Sequence, residues 1–139
     1  MVFMVGDENR EVRPVDVVER LDAAQTQLQR AWRDRSSGSA MALVVSTLAA
    51  HGRMRRFLAA NAHRVDAEII GQARGFLEPL ATRIRANTST PAIVVGQCYQ
   101  YIAAAREQLH RLTEALVAST WAPCADMPGR WAQRDLTPA

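Results

Sequence analysis

The chain has 139 residues, 48% of them hydrophobic, and a formal net charge of +3. That is one domain with enough apolar material for a core, which excludes a chain disordered along its whole length. No run reaches the roughly 18 apolar residues of a membrane span, and the opening Met-Val-Phe-Met-Val is too short for a signal segment and runs straight into Asp7 and Glu8, so a cytoplasmic protein is expected.

The first element, 1–13, alternates weakly. Val2-Phe3-Met4-Val5 and Arg10-Glu11-Val12-Arg13 flank Gly6-Asp7-Glu8-Asn9, a pattern that fits either an N-terminal hairpin or an extended segment. A helix is predicted from Pro14 to Arg35. Val17, Leu21, Ala24, Leu28 and Ala31 with Trp32 form its apolar face, and its acids come early and its arginines late, as the helix dipole favours. Ser36-Ser37-Gly38-Ser39 should end it, with Gly38 in the C-terminal turn and Ser39 capping the next helix. So short a connection makes the next helix an antiparallel neighbour.

Residues 40–86 are helical by pattern. Leu58, Ala62, Val65, Ile69, Ala73, Phe76, Leu80 and Ile84 step by threes and fours. One rod would be about 70 Å long, too long for a compact domain of this size. A break near Asn61-Ala62-His63 gives two helices instead, although the unbroken pattern favours one. Pro79 should kink the second helix or restart its last turn.

Thr90 offers an N-cap oxygen, and Pro91 takes the first position of a final helix. Val95, Cys98, Ile102, Ala105, Leu109, Leu112 and Leu116 make an a/d seam over three heptads. Tyr99 and Tyr101 fall at e and g and widen it, as suits a bundle centre or a helix shared between subunits. From Trp121, prolines and Gly129 predict an extended tail over 121–139 that carries Trp121 and Trp131. The fold class is thus all-α: an antiparallel bundle of three to four principal helices over 14–120, between an N-terminal extended segment and a C-terminal tail.

Candidate chemistry is sparse. Cys98 and Cys124 have neither metal spacing nor a disulfide framework. Glu107-Gln-Leu-His110 has the Glu-x-x-His form of di-iron bundles. It occurs once, sits at outward f and b positions, and offers each member a local partner, Arg111 for Glu107 and Glu114 for His110. His51 lies at the edge of an apolar arc, which fits a partly buried, hydrogen-bonded imidazole better than a phosphoryl carrier. No nucleophile, base and acid fall together, so no enzyme activity, cofactor or metal is expected.

The charge distribution is more informative. Residues 36–64 hold Arg53, Arg55, Arg56 and Arg64 and no acid, so all the excess positive charge lies there. On a helical wheel Arg53, Arg56 and Arg64 fall opposite Met54, Phe57 and Leu58. Such a face suits phosphates or an acidic partner surface. Two readings follow. The first is a non-catalytic interaction module, self-associating and part of a larger assembly, with Tyr99, Tyr101, Trp121 and Trp131 at protein interfaces. The alternative is a nucleic-acid-associated helical protein that grips phosphate backbone through Arg53, Arg55, Arg56 and Arg64.

Overall fold

The computed structural model describes residues 12–34, 36–86 and 90–126, with side chains as far as 119. It contains four helices: α1 (Pro14–Asp34), α2 (Ser37–Ala60), α3 (Ala67–Ala86) and α4 (Pro91–Asp126). No strand occurs among the described residues. The expected hairpin over 1–13 lies outside them except for Val12, buried in the core, and Arg13, whose backbone N–H donates to Asp16 Oδ2 at 2.7 Å.

Each helix begins and ends for a local reason. The α2 cap is Ser36, not Ser39: its Oγ accepts from the Ser39 backbone N–H at 3.2 Å. The helix therefore starts three residues earlier than expected, and Gly38 lies inside it. At the other end Asn61, itself buried, donates from Nδ2 to the Phe57 carbonyl at 2.9 Å and caps α2. Asp66 then opens α3, its Oδ1 accepting from the Glu68 N–H at 3.2 Å. The 40–86 stretch thus divides into two helices: Asn61 closes α2 with its backbone and side-chain N–H groups both on the Phe57 carbonyl, and the Asp66 carboxylate takes a first-turn N–H of α3. Thr90 Oγ1 caps α4 as expected, 3.5 Å from the Ile93 N–H.

The break rotates the second face. Along α3 the core takes Ile70, Ala73, Leu77, Ala81 and Ile84, while Phe76 and Ala62 are exposed. The apolar steps through 58–84 thus belong to two helices with different orientations. Pro79 is accommodated on the outer side of α3, which runs unbroken to Ala86.

In the core, α4 touches all three other helices, α2 touches all three, and α1 and α3 do not meet. The α4 seam is wider than a/d. Val94, Tyr101 and Gln108, at the g positions, are buried beside Val95, Ile102 and Leu109 at a and Cys98, Ala105 and Leu112 at d. A helix packed against three neighbours needs this third column. The e positions turn outward: Tyr99 is exposed, and Arg106 ties α4 to α1 through Asp22 at 2.7 Å. The expectation that helix gives way to tail at Trp121 is corrected, since α4 continues to Asp126. Pro123 sits close to that end, where its missing N–H costs one hydrogen bond and disturbs little beyond it. Residues 127–139, with Trp131, lie outside the described part. No helix among the described residues is long and apolar enough to cross a membrane.

Candidate functional site

Three features of the bundle carry chemistry. The first is a polar chain through its core. His51 on α2 and Tyr101 on α4 are both buried, and the Tyr101 hydroxyl lies 2.6 Å from His51 Nδ1, the two rings meeting edge to face at 5.3 Å. On the far side of the imidazole, Glu78 of α3 brings Oε2 to 3.2 Å from Nε2. That approach is off the line of a directed hydrogen bond, so the ring's N–H dipole rather than a straight hydrogen bond meets the carboxylate. The same Glu78 oxygen lies 3.2 Å from Arg55 Nε. Tyr101, His51, Glu78 and Arg55 thus connect the bundle centre to its surface.

Burial pushes the His51 pKa down; Glu78 opposes the shift, and Arg85 and Arg55 add to it. Burial, then Glu78, push the Tyr101 phenol well up. At neutral pH the imidazole is therefore neutral and the phenol keeps its proton. The tautomer follows from the partners: Tyr101 donates its O–H to Nδ1, and Nε2 carries the ring hydrogen toward the Glu78 carboxylate. Beside this pair Thr47 Oγ1 is buried without a hydrogen bond, facing a Cys98 thiol whose pKa burial raises and the Thr47 hydroxyl slightly lowers.

The order hydroxyl, imidazole, carboxylate resembles a catalytic relay, but Tyr101 is 0% exposed, enclosed by the described helices. With 2% exposure and Tyr101 on its Nδ1, His51 fits a buried, hydrogen-bonded histidine better than a phosphoryl carrier. The chain holds α2, α3 and α4 in register.

Its pH response follows. A histidine held neutral by burial has a folded pKa below the ordinary value of about 6.5, so the unfolded chain takes up the proton first as pH falls. Stability should be full above about pH 6.5 and decline below it until folded His51 itself protonates. Thermal melts from pH 7.5 to 5 should show this decline, and a His51→Gln variant should show a flatter profile. A wild-type midpoint constant over that range would refute the assignment.

The second feature is a groove of about 650 Å³ between α2 and α3, lined by Gly52, Arg55, Arg56, Leu58 and Ala59 from one helix and Arg74 and Glu78 from the other. Of the four arginines singled out in the sequence, only Arg55 and Arg56 reach it. Arg53 does not line it; the Asp16 carboxyl, held below the usual range first by the Arg13 backbone N–H, also feels the Arg53 charge. Arg64 belongs to the turn after α2, with Nη1 3.4 Å from Asn61 Oδ1. The continuous arginine face assumed a helix through residue 64, and the Asn61 cap ends it first.

The third feature is the flank shared by α1 and α4. Val15, Val18, Asp22, Gln25, Gln29 and Trp32 form a stripe at spacings of three and four, in which Val15, Val18 and Trp32 are exposed. Tyr99 and Val117 are exposed on the facing side of α4, with Arg106 between them in sequence and paired to Asp22. At one end an apolar cavity of about 310 Å³ is lined by Ala31, Trp32, Ser36, Pro91, Ala92 and Val95.

Tyr101, expected at a protein interface, is instead enclosed in the core, because the g column joins the α4 seam. Trp121 falls on α4 beyond the described side chains. Glu107 and His110 are exposed, as their f and b positions require, and His110 pairs with Glu114 at 3.2 Å. Arg111 reaches Gln72 of α3 at 3.0 Å, where a pairing with Glu107 was expected. No cluster able to hold a metal ion occurs among the described residues. Sequence reasoning missed Arg74, Glu78 and the outward turn of Trp32, whose partners stand many residues away. The Glu78 signal was faint: an acid one turn after Arg74 on the helix following the arginine-rich one. Comparisons with protein families, with curated proteins and with solved structures give no match.

Proposed function

We propose that this chain is a non-catalytic helical interaction module that associates with a second copy of itself through the flank shared by α1 and α4, as a structural or adaptor part of a larger assembly. The observation that carries the reading is the row of exposed apolar side chains on that flank, Val15, Val18 and Trp32 against Tyr99 and Val117, around the Asp22–Arg106 pair. A helical face that stays apolar and exposed among the described residues supports an interaction surface. The length of α4 adds support. Its 36 residues span about 54 Å at 1.5 Å per residue, against about 30–36 Å for the other three helices. Val117 lies toward the end of α4 that outruns its neighbours, where a second copy would extend the packing.

Solution mass by light scattering coupled to size exclusion tests this. The wild-type chain should run as an oligomer at both low and high salt, because the contact is apolar and its one ion pair is exposed and contributes little. A Trp32→Ser, Tyr99→Ser double variant should run as a monomer with an unchanged helical circular dichroism spectrum, since both side chains are 53% exposed. A wild-type monomer at micromolar concentration would end the proposal.

The alternative, binding of a phosphate backbone by four arginines on one face, has less support. Of the four, only Arg55 and Arg56 line the groove, and Arg64 follows the end of α2.

A further inference from the structure

We propose that the groove between α2 and α3 is a binding site for a compact, multiply charged phosphate compound, on the scale of a pyrophosphate or a nucleoside diphosphate. This is independent of self-association, which uses the opposite flank.

Arg55, Arg56 and Arg74 line one concavity of about 650 Å³, with Glu78 as its sole acid. The groove walls therefore carry two more positive charges than negative ones, set by residues from two helices. Its volume is that of a small-molecule site. Guanidinium is the group best matched to phosphate oxygens, since its planar fork binds two at once and its charge does not titrate.

Three details make this more than a patch of surface charge. Glu78 Oε2 takes Arg55 Nε at 3.2 Å, which fixes the guanidinium from one edge and leaves its outer N–H groups to face a ligand. Behind Glu78 stands His51, 98% buried, with Nε2 3.2 Å from the same oxygen and without a directed hydrogen bond. The imidazole edge abuts the carboxylate on the groove wall, so the arginine holder is itself backed from the core. Finally, Gly52 forms part of the wall on the turn before Arg55 and Arg56. A Cβ built there would meet no neighbouring group within 4 Å, so the space beside its backbone is open to a ligand.

The same geometry disfavours a duplex. A nucleic-acid backbone presents its charges in a line and needs a line of cations. Arg53 and Arg64, which would extend the line, lie outside the groove. What remains converges on one point.

Isothermal titration with pyrophosphate and with a nucleoside diphosphate, at low ionic strength, tests the site. Both should bind the wild-type chain with micromolar affinity. Arg74→Gln and Arg56→Gln should each weaken binding by about tenfold, the usual scale for losing one charge-assisted contact. Arg53→Gln should leave it within about twofold, because exposed charges outside a site act only through screened fields. Gly52→Leu should abolish binding while leaving the melting temperature no lower than that of the wild type by more than a few degrees, since the added Cβ enters open space on the groove wall and leucine is a good helix former. Absence of binding by both probes would overturn the proposal. So would Arg53→Gln weakening binding as much as Arg74→Gln, or a duplex oligonucleotide binding more tightly than either probe, since each result describes a diffuse basic surface.

Discussion

Replacing His51 with alanine should lower the stability of the fold by about 3 kcal/mol, or roughly 10 °C in thermal midpoint for a domain of this size. Two losses combine. One is packing, because the imidazole is buried edge-on against Tyr101 and leaves a void between α2 and α4. The other is polar. The Tyr101 hydroxyl, fully buried, loses the only acceptor that its 2.6 Å geometry provides, and a buried O–H without an acceptor costs about 1–3 kcal/mol. A double-mutant cycle separates the two. Tyr101→Phe alone should cost about 1–2 kcal/mol by stranding Nδ1. Added to His51→Ala, it should cost almost nothing more, because the stranded hydroxyl goes with it. Chemical denaturation of the four proteins gives the coupling. Strict additivity would mean that the hydrogen bond contributes nothing to the fold.

The second large effect concerns α4. Ile102→Ala should cost about 3 kcal/mol, within the range for removing a buried branched side chain that its surroundings cannot refill. Ile93→Ala, on the same helix and of the same chemistry, should stay within about 0.5 kcal/mol. The difference is burial: Ile102 is 1% exposed on the seam, and Ile93 is 53% exposed one turn from the helix start. Urea midpoints at equal slope measure both. Similar losses for the two would overturn the placement of the seam, and with it the assignment of Tyr101 to the core.

How far these features could be read from the chain differs from place to place. The α4 seam was legible because heptad spacing is a local signal, and every a and d residue from Val95 to Leu112 is buried. The third column was not. Tyr101 and Tyr99 look alike in sequence, and it is the packing of α2, through His51, that takes Tyr101 inward while Tyr99 stays exposed. The divided 40–86 stretch shows the same limit from another side. Its apolar steps continue through Ala62, yet Asn61 ends α2 by capping the Phe57 carbonyl, a choice of side-chain hydrogen bond that periodicity does not report. The groove was half legible. Charge counting found Arg55 and Arg56, because an acid-free stretch stands out, but it grouped them with Arg53 and Arg64. Arg74 and Glu78 complete the groove from another helix, and their place depends on how α3 docks rather than on anything within their own segment.

That α1 and α3 never meet, while α4 meets every other helix, bears on how the chain acquires its structure during synthesis. The α1–α2 hairpin is joined by a short turn and is the local pairing, so it can form as soon as both helices have left the ribosome. The α3 helix then finds only α2 to rest on, through a limited contact. The fold closes when α4, made after the other three described helices, enters between α1 and α3 and delivers Tyr101 to a waiting His51. Until then the imidazole, Thr47 and the apolar residues that will face α4 remain open to water. A nascent chain stalled after α3 should therefore be a ready client for chaperones, and truncation before Ile102 should leave no cooperative unit to melt.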